Sequence, residues 1–453
     1  MAETVHHDKT ARQLRLLSNA LDSGRFGPIR RLINTLSPAE IGNLLESLPP
    51  GKREVVWGMV DQEDDGEVLL HVGDEVRESL LAAMDTDEII AAVEDLDIDD
   101  LADLVDDLPN TVIDQVLKSM DRENRTRLEQ ALSYPEDSAG RLMNPDTVTV
   151  RADVNVDMVL RYLRLRGELP DHTDHLYVVS RHHQYLGRVS LATLVTHEPD
   201  TPINRLIDNE QPAISIEEQA QEVARQFSYH DWLSAPVVNE NNILLGRITI
   251  DDVVDIIREQ AEHQAMSAAG LSDDQDMFSP ARRAFRRRLL WLGINLCTAF
   301  IAANVVSEFE YTIEKLVALA ALMPIVAGMG GNAGTQVLAL MIRGLALGQI
   351  STSNVLPLLK KEMTVALING ICLGVSLGMI VLLWLKQPLL SLVIGSALTI
   401  NLCTAALGGV IIPMTLKRLG FDPALAGGVI LTTLTDVIGF LSFLGLATLI
   451  LLH

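Results

Sequence analysis

Five apolar runs dominate the last third of the chain, and each is close to or longer than the roughly 20 residues that a helix needs to cross a bilayer. They cover residues 289–306, 316–347, 363–385, 389–416 and 424–452. In hydrocarbon, only helices and closed barrels satisfy all of their backbone polar groups. The sequence therefore predicts a membrane domain of five helices over residues 284–453.

Charged residues divide the chain into two parts. Of its 60 acidic and 36 basic residues, 54 acidic and 24 basic residues precede Ala281. The net charge of −24 therefore comes entirely from the first part, which we expect to be soluble. No uninterrupted apolar core opens the chain, so we expect this part to remain in the cytoplasm.

Basic residues also predict the orientation of the five helices. An odd number of spans places the two termini on opposite sides of the membrane. Most basic residues of the membrane part lie on the side of the soluble part, and such an excess is typical of cytoplasmic loops. They are Arg282, Arg283, Arg286, Arg287, Arg288, Arg343, Lys360, Lys361, Lys417 and Arg418. We therefore expect a cytoplasmic N-terminus and an extracytoplasmic C-terminus.

The second apolar run is rich in glycine and amide side chains, and from Pro324 it reads PIVAGMGGNAGTQ. Proline removes a backbone donor and glycine relaxes the backbone, so we expect the chain to leave helical geometry here. Freed carbonyls at membrane depth are tolerated only beside protein or a watery cavity. We interpret the run as the lining of a polar pathway. Contact between helices through Asn332 and Gln336 is the simpler alternative.

Asp436 is the single ionisable residue of the last apolar run. A carboxylate inside a membrane is costly and is by default a candidate functional group. The alternative is a hydrogen bond that only holds two helices together. The sequence therefore indicates a second polar position for the pathway.

The first 133 residues repeat a helical pattern. Residues 36–49 recur 60 positions later as residues 96–109, with apolar residues at i, i+3, i+4 and i+7 and a proline at the end. The pattern predicts an all-α superhelical N domain over residues 1–133. Its acidic faces are either a solvated surface or a binding surface.

A different repeat occupies residues 134–258. The sequence YVVSRHHQYLGRVS from Tyr177 matches PVVNENNILLGRIT from Pro236, and each copy predicts strand, turn, strand and helix. Two such units resemble an α/β pair of CBS domains, which often bind adenine nucleotides through a Ser/Thr and an aspartate three residues later. Thr249 and Asp252 match that motif, so the resemblance implies ATP as a ligand. The first unit carries Thr193 in place of the aspartate.

The order of helical repeat, CBS pair and five-span domain with GMGGNAGTQ resembles the MgtE family of magnesium channels over essentially the whole chain. The resemblance implies a multidomain homodimer in the inner membrane of a bacterium. A linker (plug) helix is then expected over residues 259–283. The implied function is a Mg²⁺-selective channel that imports Mg²⁺ and closes when cytosolic Mg²⁺ is bound between the N and CBS domains.

The family pattern places the ion pathway around Asp436. Mg²⁺ is a small, hard ion that keeps most of its waters and binds one or two carboxylates, so oxygen groups should line its path. The remaining expected pathway residues are Gly328, Gly330, Gly331, Asn332, Gln336, Thr432 and Thr435.

The same resemblance implies regulatory Mg²⁺ ligands in the soluble part, namely Glu67, Asp99, Asp103, Asp231, Asp252 and Asp255. Facing acidic surfaces repel each other unless cations neutralise them, so bound Mg²⁺ should favour the closed arrangement. The family usually carries further acids where this chain has Gln219, Gln221, Gln260, His263 and Gln264. We therefore expect weaker gating, or some pH sensitivity through His263.

Two other functions fit parts of the sequence. A proton-coupled transporter, or one with a broader range that includes Mn²⁺ and Co²⁺, would use Asp436 as a proton carrier, but no inverted repeat is evident. A receptor that transports nothing would leave the glycine and amide run without a purpose. No nucleophile and base pair, phosphate loop or zinc motif indicates an enzyme. We expect the lipid bilayer, Mg²⁺ and a second copy of the chain as partners, and no nucleic acid.

Overall fold

The computed structural model describes residues 14–23, 26–94, 96–271, 276–350 and 353–452. The chain divides into two compact units. The first unit comprises Met1–Ala261 and Asp274–Ser279, and the second comprises Glu262–Asp273 and Pro280–His453.

The first unit begins with a series of short helices. They are α1 (14–22), α2 (Phe26–Ile33), α3 (Pro38–Glu46), α4 (Pro50–Trp57), α5 (Asp65–Leu70), α6 (Asp74–Leu81), α7 (Thr86–Val93), α8 (Ile98–Asp106), α9 (Asn110–Ser119), α10 (Arg122–Ala131) and α11 (Ala139–Leu142). A capping box defines the N-terminus of α3. The Ser37 hydroxyl accepts from the Glu40 amide, and the Glu40 carboxylate accepts from the Ser37 amide. Apolar residues at helical spacing, such as Ile41 and Leu45, are fully buried. The predicted all-α N domain is confirmed.

In the part of the first unit that the structure describes, two three-stranded sheets follow. The strands are β1 (Thr149–Arg151), β2 (His175–Val179), β3 (Tyr185–Ser190), β4 (Ile214–Ser215), β5 (Ser234–Val238) and β6 (Leu244–Thr249). In each sheet the first strand pairs parallel with the second, and the second pairs antiparallel with the third. Tyr177 lies opposite Arg188 and Pro236 lies opposite Arg247, so the internal repeat has the same register in both copies. The predicted CBS pair is confirmed.

Helices connect and flank these sheets. They are α12 (Val156–Arg166), α13 (Leu191–Thr196), a 3-10 turn (Ile203–Arg205), α14 (Ala220–His230) and α15 (Ile250–Ala268). The last of these is continuous through position 259, where we expected a separate linker helix to begin. Its sequence has no proline or glycine before Gly270, which adopts a φ of 71°. The expected linker over residues 259–283 thus contains the end of α15, and residues 276–280 before α16 are not helical. Residues 272–275 lie outside the described residues.

Among its described residues, the second unit contains six further helices. They are α16 (Ala281–Ser307), α17 (Glu310–Lys315), α18 (Ala318–Ala346), α19 (Val355–Leu385), α20 (Pro388–Arg418) and α21 (Pro423–Leu451). All except the short α17 are long and apolar enough to cross a membrane, as predicted. The helix α20 packs against α18, α19 and α21, and is the most buried of the five.

Close backbone contact joins α19 to α20. Gly370, Gly374 and Gly378 recur every fourth residue on the buried face of α19. A Cβ atom at Gly374 would lie 2.6 Å from the carbonyl oxygen of Gly395 on α20. Small residues at this spacing let membrane helices approach closely. Close packing matters here because the hydrophobic effect does not drive helices together in lipid.

The prediction that the glycine and amide run leaves helical geometry was wrong. The helix α18 continues from Ala318 to Ala346 with Pro324 inside it. Pro324 lies in the second turn and removes a single backbone donor. Two of the glycines, Gly330 and Gly334, lie on the buried face of α18. Packing on this face therefore stabilises the helix where glycine has no side chain of its own.

Candidate functional site

The expected pathway residues of α18 lie on two different faces. Gly328, Asn332 and Gln336 recur every fourth residue and are exposed on the single chain. Gly330 lies on the opposite, buried face, which is formed by Leu319, Leu322, Val326, Gly330, Gly334, Leu338, Met341 and Gly344. The two amide side chains therefore share one polar stripe, and Gly330 does not belong to it.

Gly328 and Gly331 leave open space beside this stripe. A Cβ atom built at either residue would meet no atom within 4 Å. Because α18 remains helical here, its carbonyl oxygens also serve as acceptors within the helix. Their remaining lone pairs can accept further hydrogen bonds.

Asp436 lies half-buried on α21, and Thr432 lies one turn before it on the same face. The Thr432 hydroxyl donates to the carbonyl oxygen of Gly428 at 2.9 Å, so the lone pairs of its oxygen stay open to a cation or a water. Thr435 is fully buried and donates to the carbonyl oxygen of Thr432 at 2.9 Å. The helix α21 contains no basic residue that could neutralise Asp436.

The helices α18 and α21 are in direct contact. A Cβ atom at Gly334 would lie 3.0 Å from the Leu431 side chain, and one at Gly427 would lie 3.1 Å from the Leu338 side chain. These glycines provide notches that let the two helices approach. The packing brings the helix with the amide stripe beside the helix with Asp436.

His263 lies near the end of α15 and contacts the start of α21. Its Nε2 atom is 3.2 Å from Oδ2 of Asp422. Asp422 also caps α21, because its Oδ1 accepts from the Ala424 amide at 2.8 Å. A histidine at this position thus faces a carboxylate, and pH sensitivity through His263 stays a prediction.

A second candidate site lies at the start of α8 in the first unit. Asp97, Asp99 and Asp100 each offer a carboxylate oxygen, and these oxygens lie within 4.8 Å of one another. Within the described part of the chain, no other set of three or more His, Cys, Asp and Glu side chains meets that distance. Asn144 donates to Oδ2 of Asp97 at 2.8 Å and so orients that carboxylate.

Asp252 of α15 faces the same cluster. It accepts from the amide and the hydroxyl of Thr249 at 3.2 and 3.1 Å. Burial, followed by repulsion from Asp251, raises the pKa of Asp252 to about 7. The carboxylate of Asp252 in turn raises the pKa of Asp99 and Asp100, after burial as the larger cause.

The electrostatics of this acidic cluster indicate unmatched negative charge. The pKa of Asp100 is raised to about 7, and that of Asp99 lies well above its ordinary value. Asp99 is 8% exposed, and its Oδ1 atom is buried without a hydrogen-bond partner. Oxygen ligands with excess negative charge suit a hard divalent cation such as Mg²⁺. The cluster therefore suits the ion that the family resemblance implies for Asp99 and Asp252.

Further acids lie one turn along the same two helices. Asp103 follows Asp99 on α8, and its Oδ1 is 3.6 Å from Nε of Arg141. Asp255 follows Asp252 on α15 and is exposed. Burial, then the charges of Asp103 and Asp255, raise the pKa of Glu259. Asp103, Asp255 and Glu259 therefore form a second acidic layer.

Two of the expected regulatory residues lie elsewhere on exposed surface. Glu67 lies in the first turn of α5. Asp231 ends α14 in a left-handed conformation with a φ of 54°. Neither belongs to the cluster of Asp97, Asp99 and Asp100.

Asp97 and Asp100 were not among the expected ligands. The sequence DIDD, from Asp97, carries a signal that could have identified them, because a helix start places three carboxylates within one turn. Their proximity to Asp252, which lies on a helix much later in the chain, has no local signal.

The first CBS unit builds the same turn without a carboxylate. The Ser190 and Thr193 hydroxyl oxygens lie 2.7 Å apart, and Ser190 accepts from the Thr193 amide at 2.9 Å. Thr193 stands at the position of Asp252, but its amide donates to Ser190, whereas Asp252 accepts from the amide of Thr249.

Comparisons with known proteins cover all of these regions. The chain matches the sequence model of the MgtE divalent cation transporters over residues 323–446, the MgtE intracellular N domain over residues 36–137 and the CBS domain over residues 205–259. The magnesium transporter MgtE of Thermus thermophilus is 31% identical over 96% of this chain and 98% of its own. That of Bacillus subtilis is 29% identical over 99% of both chains. Among solved structures, the chain is similar to the crystal structure of the cytosolic domain of the Mg²⁺ channel MgtE in complex with ATP. The sequence identity is 29% and the TM-score is 0.49, and the match covers 53% of this chain and 98% of that one.

Proposed function

Because the chain belongs to the MgtE family of divalent cation transporters, we propose that it carries Mg²⁺ across the membrane along the polar face of α18 and α21. One observation carries this proposal. Gly328, Asn332 and Gln336 share a stripe on α18, and α18 packs against the helix that bears Thr432 and Asp436. The similarity to relatives named magnesium transporters over nearly the whole chain supports the choice of ion.

The chemistry of this stripe suits a hydrated ion. Mg²⁺ dehydrates reluctantly, so its waters can donate hydrogen bonds to the amide oxygens of Asn332 and Gln336. Asp436 supplies the negative charge that offsets the cost of bringing a divalent cation to membrane depth. Weak contacts through water also let the ion leave, which conduction requires.

We propose that a second copy of the chain completes the pathway. The amide side chains of Asn332 and Gln336 are exposed on the single chain at membrane depth, where lipid cannot satisfy them. A twofold arrangement would close the stripe against itself and bring two Asp436 carboxylates to one axis.

We propose that Mg²⁺ also regulates the pathway at the acidic cluster. Asp97, Asp99 and Asp100 of α8 and Asp252 of α15 would hold the ion, with Asp103, Asp255 and Glu259 as a second layer. Bound Mg²⁺ removes the repulsion between these carboxylates and holds α8 against α15. In this closed form α15, which leads along the chain toward α16, is fixed. When cytosolic Mg²⁺ falls, repulsion separates the two helices and the pathway opens.

At Asp252 we propose a cation rather than a nucleotide. The carboxylates of Asp99 and Asp100 would repel the phosphates of ATP in this neighbourhood. The Asp252 carboxylate already accepts from the amide and the hydroxyl of Thr249, so both groups are engaged at the start of α15.

For the membrane topology we propose a cytoplasmic N-terminus and an extracytoplasmic C-terminus in a bacterial inner membrane. The five arginines at the start of α16 support this orientation, because cytoplasmic segments near membrane helices are rich in Lys and Arg.

The proposed pathway is tested by Mg²⁺ flux into proteoliposomes, with a Mg²⁺-sensitive dye inside. We compare the wild type with Asp436→Asn, which keeps the side-chain volume and removes the charge. The matched control is Thr433→Val on the same helix, since the Thr433 hydroxyl is bonded within its own helix to the Val429 carbonyl oxygen. Loss of flux in Asp436→Asn alone supports the pathway, and wild-type flux in that variant rejects it.

A further inference from the structure

Asn401 of α20 is completely buried among three membrane helices. It has 0% exposure, and its Nδ2 atom donates to the carbonyl oxygen of Val326 on α18 at 2.9 Å. Its Oδ1 atom is buried without a hydrogen-bond partner. An amide with one unsatisfied atom is costly at this depth, so packing alone would favour an apolar side chain.

Two glycines provide the space that Asn401 occupies. A Cβ atom at Gly330 of α18 would lie 2.2 Å from Nδ2 of Asn401, and one at Gly439 of α21 would lie 2.7 Å from the same atom. At either distance, a side chain would force the Asn401 amide to move. The amide of α20 is therefore wedged between α18 and α21.

Both contacts lie next to the proposed pathway residues. Val326 precedes Gly328 by two positions, and Gly330 lies between Gly328 and Asn332. Gly439 follows Asp436 by three positions and so lies within one turn of it. A single side chain of α20 thus touches the turns that carry both halves of the proposed pathway.

We propose that Asn401 is a positioning residue that holds the Gly328–Gln336 stretch of α18 in register with the Asp436 turn of α21. The inference rests on the proposed function, because it assigns a role to Asn401 only if those two turns conduct the ion. The hydrogen bond to Val326 fixes the rotation and height of α18, which an apolar side chain of equal volume would leave free to slide. This explains why an amide occupies a place that packing alone would give to leucine.

The competing explanation is that Asn401 only joins helices. In that case its loss would reduce the amount of folded transporter and lower the maximal flux in proportion. The half-saturating Mg²⁺ concentration and the ratio of Mg²⁺ to Ca²⁺ flux would stay unchanged. A positioning role changes both, because the oxygen groups along the ion's path move relative to one another.

The test compares the full-length wild type with Asn401→Leu in proteoliposomes. Maximal flux, half-saturating Mg²⁺ and the Mg²⁺ to Ca²⁺ flux ratio are each measured per folded protein, as judged by a monodisperse gel-filtration peak. The matched control is Thr399→Val on α20, since the Thr399 hydroxyl is bonded within its own helix to the Gly395 carbonyl oxygen. In Asn401→Leu we expect the half-saturating concentration or the flux ratio to change by about two- to tenfold, the scale of one buried hydrogen bond. Wild-type values of both quantities overturn the proposal.

If Asn401→Leu does not fold, a second pair of variants tests the positioning role of Asn401. Gly330→Ala pushes the amide away from Val326, and adding Asn401→Ala relieves the clash without restoring the hydrogen bond. We expect a changed flux ratio in both the single and the double variant. A wild-type ratio in either variant overturns the positioning role. The flux of Asp436→Asn is measured in parallel. If that variant shows the same flux as the wild type, the proposed pathway itself is rejected, rather than the role of Asn401.

Discussion

Arg53 and Asp276 lie 223 positions apart and form an ion pair in the first unit, with 2.8 Å between Nη2 and Oδ2. Their side chains are 2% and 5% exposed. Arg53 Nε also donates to the Leu45 carbonyl oxygen at 3.0 Å. The carboxylate of Glu75 accepts from the Asp276 amide and the Ser279 hydroxyl. These bonds fix Asp276–Ser279, the segment that precedes α16, on the helical N domain.

Removal of one partner of this buried pair should destabilise the first unit strongly. Asp276→Ala leaves the Arg53 charge buried and unpaired, which we expect to lower the free energy of unfolding by about 3 to 5 kcal/mol. Chemical denaturation, followed by far-UV circular dichroism of the purified chain, measures the change. The control is Arg125→Ala, which breaks the exposed pair with Glu129 and should cost under about 1 kcal/mol. Equal effects of the two variants would contradict the buried ion pair.

Loss of one carboxylate from the acidic cluster should weaken inhibition by cytosolic Mg²⁺. In Asp99→Asn we expect about tenfold more Mg²⁺ to be needed for half-maximal closure, since one charged ligand is removed and tenfold corresponds to about 1.4 kcal/mol. Flux into proteoliposomes is measured against Mg²⁺ on the side of the first unit. Asp87→Asn, on the exposed surface of α7, serves as the matched control. Unchanged closure in Asp99→Asn would contradict the regulatory site.

Mg²⁺ binding at the acidic cluster should release protons and weaken at lower pH. The pKa values of Asp100 and Asp252 are raised to about 7, so both groups are largely protonated at about pH 6 and the metal must displace their protons. Isothermal titration in buffers with different ionisation enthalpies counts the protons that are released near neutral pH. Asp100→Asn should release fewer protons than the wild type. An equal count in both proteins would show that Asp100 does not participate.

The same pKa values predict how the Mg²⁺-free protein responds to pH. Folding raises the pKa of these carboxyl groups, so the folded state binds more protons than the unfolded state between the two pKa values. The free energy of unfolding of the first unit should therefore fall as the pH rises from about 5 to about 8. Denaturation curves in a chelator measure this slope, which should be smaller in Asp252→Asn. A slope of the opposite sign would contradict the acidic cluster.

A methyl group at the contact between α19 and α20 should destabilise the second unit. The Cβ atom of Gly374→Ala would lie 2.6 Å from the Gly395 carbonyl oxygen, so the helices must separate at a cost of about 1 to 3 kcal/mol. The control is Gly293→Ala in α16, where a Cβ atom meets nothing within 4 Å. Thermal unfolding in detergent compares the two variants. A lower melting temperature is expected for Gly374→Ala alone.

The sequence by itself determined the elements whose cause is local. Apolar length specified the five membrane helices, because a span must exceed the thickness of the hydrocarbon layer. The matching segments from Tyr177 and Pro236 specified two similar sheets. In each case the relevant neighbours lie within a few residues along the chain.

Tertiary structure decided which of these elements meet. The local rules for Pro324 and its glycines predicted a break, yet packing of Gly330 against Asn401 and Gly334 against Leu431 accompanies an intact helix. Contacts of this kind join residues that are far apart along the chain. Their energies depend on shape and burial, which no local pattern encodes.

The same reason applies to the charged groups. The family resemblance implied Asp99 and Asp252, but only the fold added Asp97 and Asp100 and brought these carboxylates together. Arg53 and Asp276 likewise have no signal in their own neighbourhoods. A carboxylate changes its pKa when burial removes water and other charges approach, and both conditions exist only after α8 and α15 have packed together.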